Sequence, residues 1–177
     1  GTLAAPGVVD RVRFDRTAKR FDIHTIADRP PHGICGSGLI DLAAQLFLGG
    51  LIDFRGRFQP RACGDRLIDI DGIGHLIVVP ATDSATGKAL TISQTDLDSL
   101  IRSKAAMYTI LETITASVGI APQDLESFYV SGTFGSFINP ASAISIGMLP
   151  DLPLDRYIPL GNSSLGGATM VLQSRDA

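Results

Sequence analysis

From Phe128 the chain reads Phe128-Tyr129-Val130-Ser131-Gly132-Thr133-Phe134-Gly135-Ser136-Phe137-Ile138-Asn139-Pro140. Aromatic and β-branched residues that stop at Ser and Gly predict a short buried strand running into a tight loop. Gly132 and Gly135 carry no Cβ, so the backbone there is free to take positive φ or to approach a ligand closely. Pro140 then opens a short helix that Gly147 closes. A strand, a glycine turn and a helix N-terminus together can hold a nucleotide or another anion. The same spacing also fits a strand-to-helix turn with no ligand.

A second stretch has the same character. In Gly33-Ile34-Cys35-Gly36-Ser37-Gly38-Leu39-Ile40-Asp41, Ser37 is a good N-cap for a helix running to Leu48. The loop Gly36-Ser37-Gly38 would then leave backbone N–H groups pointing outward, which favours phosphate. Asp41 is the lone charge in the early turns of that helix. It reads either as a partner of the helix dipole or as a carboxylate facing a ribose, a base or a metal. Lys104 lies within the apolar stripe of a later helix, where it either extends to the surface or serves a nearby phosphate loop. Asn162, in Gly161-Asn162-Ser163-Ser164, caps a last helix.

Other polar residues carry less. Cys35 and Cys63 are the only cysteines, too few for a four-cysteine zinc or iron–sulfur site, and they read as reduced buried thiols. Asp65, Asp69 and Asp71 lack the spacing and terminal Glu of a calcium loop and read as surface turns. His24 falls on the solvent face of a strand. The chain contains no Walker loop, nucleophile elbow, zinc-binding His-Glu-x-x-His or recognisable triad.

The 177 residues fit one domain. Hydrophobic residues make up 45% and charged residues 19%, with a formal net charge of -3. Such a balance has no nucleic-acid footprint. The densest basic set, Arg11, Arg13, Arg16, Lys19 and Arg20, is interleaved with Asp10, Asp15 and Asp22, as on a solvated strand face. No apolar run is long enough to span a membrane.

The elements that must position the loops follow from periodicity. Val8–Phe14 and Phe21–Ala27 predict a β-hairpin. Leu39–Leu48 is apolar on nearly every side and predicts a buried helix stopped by Gly49-Gly50. Residues 51–74 read as irregular and turn-rich, and His75–Pro80 and Ala89–Ile92 as strands. Ser93-Gln94-Thr95-Asp96 is a capping-box start for the longest helix, ended by Gly119. Its apolar stripe would comprise Leu97, Leu100, Ile101, Ala105, Tyr108, Leu111, Ile114 and Val118. Arg156–Leu160 predicts a last strand, and Leu165, Ala168, Thr169 and Leu172 one face of the last helix. Strands feeding glycine loops and helices predict a three-layer α/β domain.

Several of these motifs, in this order, carry a resemblance. Gly33 to Asp41, Gly56-Arg57-Phe58, Ile92 to Asp96, Lys104-Ala105-Ala106, Ser131 to Pro140, Ala143 to Asp151 and Gly161-Asn162 together resemble the C-terminal part of the reductive activators of corrinoid-dependent methyltransferases. The resemblance covers Ala4 to about Met170. It implies an actin-like, ribonuclease H-like fold of the acetate and sugar kinase, heat-shock chaperone and actin superfamily, with a mixed sheet and flanking helices. It also implies that residues 1–177 are the C-terminal part of a longer protein, with a [2Fe–2S] ferredoxin domain and the phosphate-binding turns upstream.

The activity implied is use of ATP with magnesium to drive an electron from the cluster to a Co(II) corrinoid, restoring Co(I). Ser131, Gly132, Thr133, Phe134 and Gly135 would form the adenosine loop. Gly36, Ser37, Gly38 and Asp41 would make a second nucleotide contact, with Lys104 and Asn162 as further candidates. No catalytic residue or metal ligand is expected in this chain, which alone would not hydrolyse ATP and would bind none of these cofactors by itself. The partner implied is a corrinoid protein or corrinoid-dependent methyltransferase in the cytoplasm, with no nucleic acid or membrane. A homodimer, in which a second copy covers an exposed sheet edge, is one arrangement that the sequence leaves open. Two alternatives are a non-catalytic docking domain for a corrinoid protein and a small-molecule kinase of the same superfamily.

Overall fold

The computed structural model describes residues 1–132 and 137–174. It is α/β, with sheets flanked by helices. Among the described residues the strands divide into three sheets. The first contains the expected hairpin, β1 (Val8–Asp15) and β2 (Arg20–Thr25), with the short β3 (Gly33–Ile34) parallel to β1 on its other side. The hairpin turn is set by the Asp15 carboxylate, which accepts the Thr17 and Ala18 N–H groups at 2.8 and 2.9 Å. Those bonds hold the Asp15 carboxyl below its ordinary pKa. His24 is exposed as expected and bonds Asp10 Oδ1 at 2.6 Å.

β3 runs directly into α1 (Gly36–Leu48), which packs across β1. The helix begins two residues earlier than an N-cap at Ser37 would dictate. Cys35 occupies the N-cap without a side-chain bond, and Ser37 lies buried inside the first turn. Gly36-Ser37-Gly38 is therefore helix seated on a strand, not an open loop. The seat requires Gly38, because a Cβ there would lie 2.4 Å from the Val9 carbonyl oxygen. Gly49 and Gly50 end the helix as predicted, Gly50 with φ of +73°. Phe47 and Leu48 remain exposed, so α1 is apolar beyond the face it buries.

The second sheet has the order β4-β5-β6, all antiparallel. β5 (Ile73–Val79) and β6 (Leu90–Ser93) fall where strands are expected. β4 (Leu67–Ile70) lies in the stretch that reads as irregular. It exists because Asp71 and Gly72, with φ of +54° and +79°, form a tight hairpin turn. Asp69 accepts the Gly72 N–H there at 2.9 Å. A one-turn helix, α2 (Pro60–Cys63), precedes it.

α3 (Gln94–Ser117) carries the expected capping box: Ser93 and Asp96 each accept the other's backbone N–H, at 3.1 and 3.0 Å. Its inner line runs through Leu97, Ile101, Lys104, Tyr108, Leu111 and Thr115. Ile114 sits one position off that line and Val118 is the C-cap, beyond the last turn; they are 58% and 67% exposed, contrary to the expected stripe. Buried Thr115 is tolerated because its hydroxyl donates back to the Leu111 carbonyl at 3.0 Å.

The third sheet pairs β7 (Phe128–Ser131) with β8 (Tyr157–Gly161) in parallel. Between them in sequence lies α4 (Pro140–Ser145), and after β8 comes α5 (Ser163–Gln173), on which no residue is buried. One hydrophobic core joins Val9 and Val12 of β1, Ile40, Leu42 and Leu46 of α1, Leu76 of β5, Ile92 and Leu97. It continues to Ala143, Met148, Leu149 and Tyr157.

Candidate functional site

β7 and β8 run in the same direction, and Ser131 sits opposite Gly161 at their carboxyl ends. Ligands of α/β domains favour such a place, outside the carboxyl ends of parallel strands. Gly132 and Gly161 both leave the sheet with positive φ, +90° and +65°. A Cβ built on either would meet no described atom within 4 Å. Asn162 follows, and its Oδ1 accepts the Leu165 N–H at 3.1 Å, capping α5 as expected. Ser131, Gly132 and Asn162 therefore share one edge, with the N-terminus of α5 beside them. Thr133, Phe134 and Gly135 lie outside the described residues.

The chain is described again at Phe137 and reaches Asn139, the N-cap of α4. Asn139 Oδ1 accepts the Ala141 N–H at 3.1 Å, and its Nδ2 donates to Asp41 Oδ1 at 3.3 Å. The Ser142 hydroxyl donates to the same Asp41 oxygen. Asp41 Oδ2 takes the Val12 N–H of β1 at 2.9 Å. Gln45, one turn further along α1, accepts the Phe14 N–H in the same way at 2.9 Å. Side chains of α1 thus satisfy the edge of β1 beyond β3. Asp41, only 5% exposed, has three protein donors. Those donors come from β1 and from the N-terminal turn of α4.

The other end of α4 is held by Lys104, whose Nζ donates to the Ile146 carbonyl at 2.5 Å. A cation on the last carbonyls of a helix is favourable. Further on, the buried Tyr157 hydroxyl of β8 donates to the Pro150 carbonyl. Burial, with the negative charge of Asp151, pushes the Tyr157 pKa up to about 12. These contacts fix the returning segment between β7 and β8. Asn139, Ser142, Gln45 and Tyr157 are not singled out by sequence reasoning. The Asn-Pro pair at 139–140 is the one signal that marks a cap.

Cys35 and Cys63 are both free and buried. Their thiols face separate carbonyls, of Val9 and Leu51, and burial raises the Cys63 pKa. Among the described residues no group of His, Cys, Asp or Glu is arranged to hold a metal ion. No described helix is long and apolar enough to cross a membrane.

Over residues 1–177 the chain matches the family described as the C-terminal domain of RACo, the ASKHA domain. It belongs to that family. A solved structure named as a reductive activator for corrinoid, iron–sulfur protein superposes on 99% of the chain with a TM-score of 0.92 at 34% identity, over 28% of its own length. The corrinoid activation enzyme RamQ of Eubacterium limosum is 30% identical over 99% of the chain and 30% of the enzyme. A reductase of the Co(II) methylated amine-specific corrinoid protein from Methanosarcina barkeri is 26% identical over 93% of the chain and 30% of its own length. The chain thus spans less than a third of the proteins it resembles. As an ASKHA domain of this family, it has the α/β build that its sequence predicts.

Proposed function

We propose that this ASKHA domain is the nucleotide-binding C-terminal part of a reductive activator that uses ATP with magnesium to return a Co(II) corrinoid protein to Co(I). The observation that carries the reading is the paired carboxyl ends of β7 and β8, where two glycines turn outward beside a helix N-terminus. Ser131, Gly132, Thr133, Phe134 and Gly135 form the adenosine-side loop in this reading, with Asn162 next to it. Gly36, Ser37, Gly38 and Lys104 belong to the scaffold, since the first turn of α1 is spent on β1 and Lys104 on α4.

Open Cβ positions at this edge support the nucleotide reading. Gly132, Gly161, Gly166 and Gly167 each have open space where a Cβ would stand, counting described atoms. A [2Fe–2S] cluster does not fit here, because the two cysteines are buried and face different carbonyls. The electron donor of the proposal is therefore another part of the full-length protein. The chain's own contribution is to bind and orient a nucleotide, whose differential affinity for two conformations drives the change. The relatives named as corrinoid activators supply the partner class, a corrinoid protein.

The test is calorimetric titration of ATP with magnesium into the full-length protein and its Gly132→Val variant, with cobalt reduction followed by visible absorbance. Wild type is expected to bind and to support reduction. Valine at φ of +90° is strained, and the variant is expected to lose affinity by about tenfold or more. A full-length protein that ignores ATP yet still binds its corrinoid partner would replace this reading with that of a docking domain.

A further inference from the structure

We infer that α5 is where the rest of the full-length polypeptide packs onto this domain: the helix is enclosed by residues outside 1–177 and is not a free surface. This goes beyond the nucleotide reading and needs only that residues 1–177 belong to a longer protein.

The composition of α5 comes first. Ser163–Gln173 contains no charged residue. At helical spacing Leu165, Ala168 and Leu172 fall on one side, Met170 on the opposite side and Val171 between them. A helix without a polar side belongs in an interior. Yet no residue of α5 is buried among the described residues, and Leu172 is 87% exposed. An 11-residue helix with two internal glycines is also too short to persist by itself in water.

The sheet that leads into α5 repeats the pattern. Phe128 and Tyr157, with ring centroids 5.3 Å apart, set one face of β7 and β8 against the core. On the other face Tyr129 and Leu160 are 61% and 50% exposed. Parallel strands are normally covered on both faces.

Extent and chemistry indicate the cover. The chain superposes over 99% of its length on the solved activator but spans 28% of that protein, and 30% of RamQ. Most of each relative therefore lies outside the matched part, and α5 keeps its place beside it. A second copy or a dissociable partner suits α5 poorly. Surfaces that separate again keep a polar, solvated rim, and an uncharged helix offers none. Cover on several sides at once is what a polypeptide folded around the helix supplies. Gly166 and Gly167, with no described atom near their Cβ positions, leave room for its backbone to approach closely.

Two variants of the full-length protein, both without nucleotide, provide the test. In the first, photoreactive benzoylphenylalanine replaces Val171, and mass spectrometry locates its cross-links in an equal mixture of isotope-labelled and unlabelled protein. The same probe in place of Tyr129, an aromatic-for-aromatic exchange, serves where the Val171 variant fails to fold. In the second, Leu172→Cys, alkylation at that thiol is timed in native buffer and in denaturant. Cross-links are expected within one polypeptide, to residues outside 1–177. Native alkylation is expected to be slower than in denaturant by about tenfold or more, because a covered thiol reacts only on opening. Equal rates in the two conditions would overturn the inference and leave α5 in solvent. Cross-links joining labelled to unlabelled protein would also overturn it, in favour of a second copy. So would cross-links confined to residues 1–177, or formed only to a corrinoid protein after its addition. Neither measurement involves ATP, so each stands whether or not the nucleotide reading does.

Discussion

A glycine in a loop-like motif can stand there for opposite reasons, and Gly38 and Gly132 show both. At Gly132 the space a side chain would fill is open, counting described atoms, and the backbone takes φ of +90°. At Gly38 the space is already taken: a Cβ would meet the Val9 carbonyl oxygen at 2.4 Å and its carbon at 3.1 Å. These are backbone atoms of a central strand, so relief requires α1 to move off β1. Gly38→Ala is expected to lower stability by about 1–3 kcal/mol, the usual cost of overpacking. Thermal or denaturant unfolding of the full-length protein checks this, and a variant as stable as wild type would mean that α1 shifts freely. Sequence alone cannot separate the two glycines, because both belong to Gly-Ser-rich motifs that read as turns next to helices. Asp41 escapes it for a similar reason. Its partners lie 29, 98 and 101 residues away, and spacing along one helix carries no information about them.

Elements whose determinants are local are the ones that could be read. The β1–β2 hairpin, the Gly49-Gly50 stop, the Asn162 cap and the start of α3 each depend on residues within a turn of one another. β4 was equally local, since Asp71-Gly72 is a strong hairpin signal, but the Asp-rich stretch around it reads as surface turns. The inner line of α3 was less accessible. Its second half packs through Tyr108, Leu111 and Thr115, so the apolar Ile114, and Val118 at the C-cap, misdirect a stripe drawn from hydrophobicity.

The α3 cap gives a prediction at this scale. Burial pushes the Asp96 carboxyl up, but the Ser93 hydroxyl and backbone N–H more than offset it, and the net pKa is lowered from 3.8. A lowered folded pKa means stability that is present above the unfolded value and lost as pH falls through the folded one. Ser93→Ala removes the hydroxyl from both partners of the box. It is expected to cost about 1 kcal/mol near neutral pH and to flatten the fall in stability below pH 3.8. Unfolding midpoints of both proteins across the acid range test the two effects together. An acid limb as steep in Ser93→Ala as in wild type would assign the lowered pKa to other groups.

At the scale of the molecule, burial is graded along the chain. Most of the fully buried large side chains, Ile40, Leu42, Leu46, Leu76, Ile92 and Leu97, come from α1, β5, β6 and the first turn of α3, with Val8 and Val9 of β1 and Pro150 beside them. At the other extreme, α5 buries no residue, and Leu165, Met170, Val171 and Leu172 are 61–87% exposed. β7 and β8 form a two-stranded sheet among the described residues, an arrangement with little stability of its own. The candidate site thus stands on the least buried part of the chain, held to the core by Asp41, Lys104 and Tyr157. Local opening follows buried apolar contact and not helix content, since segments with few such contacts open at low free energy. Residues 1–177 alone are therefore expected to exchange amide hydrogens fastest along α5, next along β7 and β8, and slowest along α1 and β5. Adding ATP with magnesium to the full-length protein should slow the β7, β8 and α5 amides selectively, because a ligand stabilises only what it contacts or orders. Protection of α5 in residues 1–177 equal to that of α1 would show that the domain opens as one cooperative unit. Slowing confined to α1 on addition of nucleotide would move the binding edge away from the ends of β7 and β8.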